Sequence, residues 1–248
     1  DIVTITGMSE LNVGETITSI ENPHVLPLLE IDAPTISMAF RANNGPFLGE
    51  EGRYVTSQNL KERLEREIRS NVSLRVAPTD MADTFTVSGR GELHLSVLIE
   101  TMRREGYEFM VARPEVVLKT DKDGQKLEPY EAVVADVPQD RSGIVIDGLN
   151  RRGGRMTNMR DMRGGRTRLD FVAPTRGLIG YRSQFMTDTR GLGILSHVFL
   201  EYGPYLGPMQ GRNSGALVVQ DTCTTVTFSL WKLQDRGVFF VTAGERVY

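Results

Sequence analysis

Apolar and polar residues follow the same order of strand-like and helix-like patterns in two long stretches of the chain. In the first stretch, residues 35–41 alternate with a period of two, which predicts a strand. Leu60, Leu64 and Ile68 recur every four positions, which predicts an amphipathic helix over residues 56–71. The same criteria predict two short strands, a second helix and a closing strand, at residues 74–76, 85–87, 92–105 and 108–119.

The second stretch repeats this order after a polar linker at residues 122–129. Its predicted segments are a strand, a helix, two strands, a short helix and a closing strand, at residues 130–137, 142–151, 156–162, 167–173, 177–187 and 193–202. Gly164 and Gly165 mark the turn between the two middle strands. The fold class is therefore predicted to be α+β, with two ferredoxin-like βαββαβ units in tandem.

The segments outside these stretches have different patterns. Residues 1–20 read as strand, turn and strand, too short to fold alone, and predict the end of a β-barrel followed by a proline-containing linker. After residue 202 the chain becomes rich in Gly and Pro, then shows β-like runs at residues 216–220, 222–231 and 237–241, which predict a mainly β, loop-rich C-terminal domain. The predicted domains are 1–33, 34–120, 121–205 and 206–248.

Composition narrows the class of protein. Hydrophobic residues make up 40% of the chain and charged residues 25%, as in soluble globular proteins. We find no apolar run long enough to span a bilayer and no signal-peptide pattern, so we expect no membrane partner. Cys223 is the only cysteine, which excludes an internal disulfide and fits a cytoplasmic protein.

The net charge of −3 conceals a strong asymmetry. The first 40 residues carry six acidic residues and no Lys or Arg, whereas residues 151–190 carry ten Arg and three Asp. Because guanidinium groups bind phosphate in a planar, bidentate way and stack on bases, this arginine-rich window predicts nucleic-acid binding. A solvated surface with ordinary ion pairs is the alternative interpretation.

The arginines near the Gly164-Gly165 turn are the best site candidates, since an exposed basic sheet edge can follow an RNA backbone. On a strand, Arg166, Arg168 and Asp170 share one face and Leu169 and Phe171 the other. The full set of RNA-binding candidates is Arg151, Arg152, Arg155, Arg160, Arg163, Arg166, Arg168, Arg176, Arg182, Arg212, Lys232 and Arg236.

Patterns for catalysis were sought and are largely missing. The chain has no GxxxxGK[ST] sequence, which a nucleotide-binding P-loop requires. Its three histidines are far apart and, with one cysteine, provide no metal-ligand spacing. We therefore predict no catalytic, cofactor-binding or metal-binding residues in this chain.

Three stretches resemble translational GTPases of the elongation factor G type. Residues 87–95 (VSGRGELHL) resemble the signature of their third domain, and residues 143–153 (GIVIDGLNRRG) resemble a helix of their fifth domain. Ala173-Pro174 and Gly180-Tyr181 resemble another stretch of that fifth domain. Only a short linker, residues 120–129, separates the two regions where elongation factor G has a fourth domain. This arrangement, with the Gly/Pro-rich segment that follows, resembles the C-terminal part of the BipA/TypA family specifically.

The resemblance implies a ribosome-bound factor of translation, ribosome assembly or stress response. It implies GTP and Mg²⁺ only in a GTPase domain outside this chain, further chain beyond Tyr248, and contacts with that GTPase domain and the barrel. Expected partners are the bacterial ribosome, its RNA and the acceptor end of tRNA.

Two other functions remain open. A generic RNA chaperone would share the arginine-rich surface without preferring ribosomes. A small acylphosphatase-like enzyme would need an Arg and an Asn converging on a phosphate, which Arg151 and Asn150 could mimic only poorly.

Overall fold

The computed structural model of the protein describes residues 2–7, 13–27, 33–209, 217–237 and 239–248. The chain divides into two units, Asp1–Gly207 and Pro208–Tyr248. The first unit contains two antiparallel sheets with helices, so the predicted α+β class is confirmed. None of the helices in the described ranges is long and apolar enough to cross a membrane.

The first half of this unit forms one sheet with two helices. Its elements are β1 (Ile36–Ala42), α1 (Ser57–Ser70), β2 (Arg75–Pro78), β3 (Thr84–Gly89), α2 (Glu92–Arg104), β4 (Phe109–Val111) and β5 (Glu115–Val116). The strand order is β2-β3-β1-β4, and β5 also pairs with β1. Both predicted helices are confirmed, and the Thr56 side chain caps α1 by accepting from the Asn59 N–H at 3.2 Å.

The predicted closing strand at 108–119 is interrupted in the structure. β4 ends at Val111, β5 begins at Glu115, and a further strand, β6 (Lys119–Thr120), pairs with the second sheet. Pro114 lies in the break, and because proline has no N–H it cannot donate to a continuous ladder.

The second half forms the other sheet. Its remaining elements are β7 (Lys126–Pro138), α3 (Ser142–Asn150), β8 (Arg155–Met162), β9 (Arg166–Pro174), α4 (Thr175–Leu178), α5 (Tyr181–Asp188) and β10 (Ile194–Pro204), with strand order β10-β7-β9-β8. β7 starts within the predicted linker because β6 and β10 pair with its first residues. The single helix predicted at 177–187 is split at Gly180, whose φ of 70° interrupts helical geometry.

Each sheet buries one face under its helices. In the first half, Phe40, Leu64 and Leu95 are fully buried together, and in the second half Val133, Leu149 and Leu169 are. The alternate positions of β7 and β9 lie on the opposite face of the second sheet, so the sequence period of two sets which residues face outward.

The strands predicted near both chain ends differ from the secondary structure of the residues that can be assessed. Residues 2–7 and 13–27 contain no strand, since the predicted pair finds no sheet to join there. In the described part of the second unit, β11 (Cys223–Thr224) pairs with β12 (Arg246–Val247), and α6 (Thr227–Leu233) replaces most of the strand predicted at 222–231. No strand occurs at 217–220 or 239–241.

The helix α6 shows why strand propensity failed at this segment. Phe228 and Trp231, three residues apart, bring their ring centroids to 6.3 Å, and Lys232 places its Nζ 4.5 Å from the Phe228 ring. Contacts three and four residues apart stabilise a helix, and they outweigh the modest strand preference of Thr, Val and Phe.

Candidate nucleic-acid interface

The β8–β9 hairpin places most of the candidate arginines on one surface. Arg160 lies directly opposite Arg168, Asn158 opposite Asp170 and Met162 opposite Arg166 in the antiparallel register. Directly opposed residues point to the same face of a sheet. Leu169 and Phe171, at the alternate positions, are buried under the helices, so the arginine-bearing side is the open face.

The turn of this hairpin depends on glycine. Gly164 and Gly165 both have positive φ values, 81° and 69°, a conformation that other residues adopt only with strain. They follow Arg163, which is exposed at the tip of the hairpin. We call the polar residues on and around this open face the arginine face: Arg155, Arg160, Arg163, Arg168, Asn158 and Asp170.

Asp170 is the acidic group within the arginine face. Its carboxylate accepts hydrogen bonds from Arg168 Nε at 3.1 Å and Asn158 Nδ2 at 3.2 Å. Arg160 Nη2 lies 3.9 Å from the same carboxylate. Asp170 therefore contacts two of the four arginines, and Asp136, which lies opposite Arg168, is paired with Arg166, so the surface keeps an excess of positive charge.

Arg166, one of the predicted RNA-binding residues, is engaged by partners within the protein. Its Nε donates to Asp136 Oδ1 at 2.5 Å, and its terminal nitrogens donate to the backbone carbonyls of Asp136 and Leu192 at 2.9 and 3.2 Å. Most of its donors are thus satisfied inside the protein. This arginine joins β9 to β7 and to the loop before β10.

Arg176, another predicted RNA-binding residue, is also engaged within the protein. Its guanidinium makes a bidentate ion pair with Glu128, whose side chain is 0% exposed. The same carboxylate accepts the Leu206 N–H at 2.8 Å, and the Arg176 guanidinium lies 4.4 Å from the Tyr205 ring centroid. A buried charge needs such pairing, so the role of Arg176 is structural.

The remaining candidates of the first unit fall into two groups. Arg152 is held inside the fold, since it donates to Gln184 Oε1 at 2.8 Å and stacks 4.8 Å from the Tyr181 ring. Arg151 and Arg182 are exposed, the first at the end of α3 and the second on α5. They do not belong to the hairpin.

The candidates of the second unit are described separately. Lys232 lies on α6 and packs over the Phe228 ring, and Arg236 is exposed just after that helix. Arg212 lies outside the described residues. This unit provides aromatic and cationic groups of its own.

Sequence reasoning missed the acidic partners of two arginines, Asp136 for Arg166 and Glu128 for Arg176. It also missed the contact between His197 and Glu131. His197 Nδ1 hydrogen-bonds Glu131, which raises the pKa of His197 although burial opposes the shift. The period of β7 marks Asp136 as outward-facing, but its pairing with Arg166 depends on the strand order. Within the described ranges, no cluster of His, Cys, Asp and Glu could hold a metal ion.

The sequence motifs of the two halves meet in space. Glu92, in the VSGRGELHL segment, accepts the Gly180 N–H at 3.4 Å through Oε2, and Ile179 packs against the core of the first half. Tyr181, next to this contact, is fully buried, and burial raises its pKa to about 12. The two motifs therefore link the halves of the first unit.

Comparison with known proteins places this architecture among translation factors. Residues 125–212 match the family model of the elongation factor G C-terminus, which contains the second sheet and the arginine face. Residues 214–248 match the model of the TypA/BipA C-terminal domain. The first match defines the class, a protein with an elongation factor G-like C-terminal domain.

Similarity to individual proteins extends over the whole chain. The chain is 47%, 47% and 49% identical to proteins named large ribosomal subunit assembly factor BipA from Synechocystis sp., Bacillus subtilis and Escherichia coli strain K12. It spans 41%, 40% and 41% of the lengths of these relatives. The chain belongs to the TypA/BipA family.

Proposed function

We propose that this chain is the ribosome-binding region of a TypA/BipA-type translation factor, which acts in ribosome assembly, translation regulation or stress response. Residues 34–120 and 121–205 would correspond to the third and fifth domains of elongation factor G-type proteins, and both would be ferredoxin-like. Residues 1–33 would be the end of the barrel domain with its linker, and residues 206–248 part of the family's C-terminal domain.

The chain would bind and not catalyse. GTP and Mg²⁺ would be held by a GTPase domain elsewhere in the parent protein, and the regions described above would contact that domain. The parent protein would act in the cytoplasm. Ribosomal RNA would be the main partner, and the second unit would add contacts to the acceptor end of tRNA.

The arginine face carries this proposal. Arg160 and Arg168 lie side by side on the open face, and Arg163 extends from the turn, with Asp170 as the neighbouring counter-charge. Successive same-face residues on a strand are about 6.6 Å apart. Several guanidinium groups at such spacing can contact successive phosphates of one RNA strand.

Contacts to the RNA backbone fit this face better than stacking of bases. β7 and β9, both fully described, are the central strands of the sheet, and Tyr130 is the aromatic residue at their open-face positions. The Tyr130 hydroxyl donates to the Pro204 carbonyl at 2.8 Å, and its ring packs against Gly203. We therefore expect binding dominated by phosphate contacts, which salt weakens steeply.

The test is co-sedimentation with purified large ribosomal subunits of Escherichia coli across a salt series. The variant is Arg160→Ala/Arg163→Ala/Arg168→Ala, which leaves the structural Arg166 intact. We expect wild-type binding to be saturable, and the variant to reduce the log–log salt slope by about two to three, one per lost phosphate contact.

A charge-matched control is available in the first half of the protein. Arg41, Arg75 and Arg113 lie on or beside the first sheet, and the triple alanine variant makes the same change in net charge. We expect this control to retain most of the affinity. Equal losses for both variants, or no binding at low salt, would contradict the proposal, and equal affinity for unrelated structured RNA would favour a generic RNA chaperone.

A further inference from the structure

We infer that Asp170 is a positioning residue of the arginine face, so that removing its negative charge weakens RNA binding. This inference rests on the proposed function. It is unexpected on charge alone, because an acidic group inside a phosphate-binding surface repels phosphate. The contacts of Asp170 indicate that its organising effect outweighs this repulsion.

The geometry at Arg168 supports the inference most directly. Asp170 binds the Nε edge of this guanidinium at 3.1 Å. Arginine has five N–H donors in a planar fork, so the two terminal nitrogens of Arg168 are left to face outward. Their four N–H groups have no hydrogen-bond acceptor in the described structure and are arranged to bind a phosphate.

Asp170 also contacts three residues of β8. Asn158 donates to the carboxylate at 3.2 Å, Arg160 lies 3.9 Å away, and the Thr157 hydroxyl donates to the Asp170 carbonyl at 3.0 Å. The side chain of Asp170 is only 21% exposed, whereas that of Arg160 is 70% exposed. A mostly covered acceptor thus restrains two arginines that would otherwise sample many rotamers.

Restraining these side chains before binding lowers the entropy lost when RNA docks. Ordering one long side chain at an interface corresponds to roughly a two- to tenfold loss of affinity. Asp170→Asn keeps an oxygen acceptor but removes the charge that holds the guanidinium groups. We expect it to bind large ribosomal subunits two- to tenfold more weakly, with a salt slope smaller by about one phosphate contact.

Asp161 provides a matched control in the same hairpin. It lies on β8 opposite the buried Thr167, whose hydroxyl donates to its Oδ1 at 2.9 Å, and therefore belongs to the other face. Asp161→Asn makes the same change in net charge and keeps this hydrogen bond. We expect it to bind as tightly as the wild type or slightly more tightly.

The experiment measures binding of the wild type, both single variants and Asp170→Asn in an Arg160→Ala/Arg168→Ala background, by the salt-series sedimentation described above. If Asp170 acts through these arginines, Asp170→Asn causes no further loss in that background. Thermal unfolding followed by circular dichroism checks that each variant is folded.

The outcomes separate this inference from the proposed function. If the triple arginine variant loses affinity but Asp170→Asn binds more tightly, to the same degree as Asp161→Asn, Asp170 acts only as a repulsive charge and the inference is overturned. If the triple variant binds like its charge-matched control, the proposed function itself fails, and the inference falls with it.

Discussion

The two halves of the first unit have the same strand order but use arginine differently on their open faces. In each half one arginine is enclosed between elements: Arg63 bridges Glu67 and Glu105 at 2.9 and 2.6 Å, and Arg176 is paired with the buried Glu128. These two arginines hold helices and strands together. A buried arginine paired in this way has a structural role in both halves.

The open faces show the difference. In the first sheet, Arg41 and Arg75 lie on the open face opposite Thr84 and Ser88, so neither is opposite another arginine, whereas in the second sheet Arg160 lies opposite Arg168. The strand order leaves the outward positions unconstrained, so one architecture supports separated arginines on the open face of one half and directly adjacent arginines on that of the other. The candidate function therefore follows from particular outward residues and not from the fold.

The largest expected effect concerns the enclosed arginines. Arg176→Ala leaves the carboxylate of Glu128 buried without its partner, and we expect the free energy of unfolding to fall by about 3–5 kcal/mol. Arg63→Ala should lower the free energy of unfolding by less, because the Glu105 side chain is 39% exposed and water can replace its arginine partner. Urea unfolding measures both, with Arg75→Ala as the control. If Arg176→Ala left stability unchanged and weakened ribosome binding, Arg176 would be an RNA-binding residue and not a structural one.

A smaller effect separates two neighbouring arginines of the second half. Arg166→Ala removes the link to Asp136 and two carbonyls, and we expect it to lower the free energy of unfolding by about 1–2 kcal/mol. Arg163→Ala, at the exposed turn, should change stability by less than about 0.5 kcal/mol.

Ribosome affinity should show the reverse pattern, with a loss for Arg163→Ala and little change for folded Arg166→Ala. Urea unfolding and sedimentation of the same two proteins give both values. If one variant showed both losses and the other neither, the division between structural and exposed arginines would be wrong.

The smallest expected effect is the pH dependence of stability that the histidines of the two halves cause. Hydrogen bonding to Glu131 raises the pKa of His197, so the stabilising effect of this contact is full below the unfolded pKa of about 6.5 and is lost as pH rises through the folded pKa. Burial and the charge of Arg90 lower the pKa of His94, so its effect has the opposite sign and is lost as pH falls.

Unfolding of His197→Gln and His94→Gln between pH 5.5 and 8.5 tests these signs. We expect the free energy of unfolding of each variant to differ from that of the wild type by less than about 1 kcal/mol. For His197→Gln this difference should be greater at low pH, and for His94→Gln it should change with pH in the opposite direction. Parallel pH profiles for the two variants would contradict the assigned environments.

The sequence predicted what depends on local pattern. The helix α1, the hairpin turn at Gly164-Gly165 and the alternation of Arg168 and Asp170 with Leu169 follow from periodicity and glycine, and the structure confirms them. These features involve residues only a few positions apart.

The ion pairs that the sequence did not predict join residues far apart along the chain. The partners of Arg166 and Arg176 lie 30 and 48 residues away along the chain, so their ion pairs exist only after the sheet has formed. An unpaired arginine and a structural arginine look identical in sequence. The strand predicted at 222–231 failed for a different reason, because strand propensity is weak and is overridden by local side-chain contacts in α6.

The most direct test of the central claim is hydroxyl-radical probing from an iron chelate attached to a single cysteine. Arg163→Cys places the probe at the arginine face and Arg75→Cys places it on the first sheet, each in a Cys223→Ser background because Cys223 is exposed. With bound large ribosomal subunits, the account predicts strong local cleavage of ribosomal RNA from position 163 and little from position 75. Cleavage from position 75 with none from position 163 would contradict it, since RNA would then lie against the first sheet.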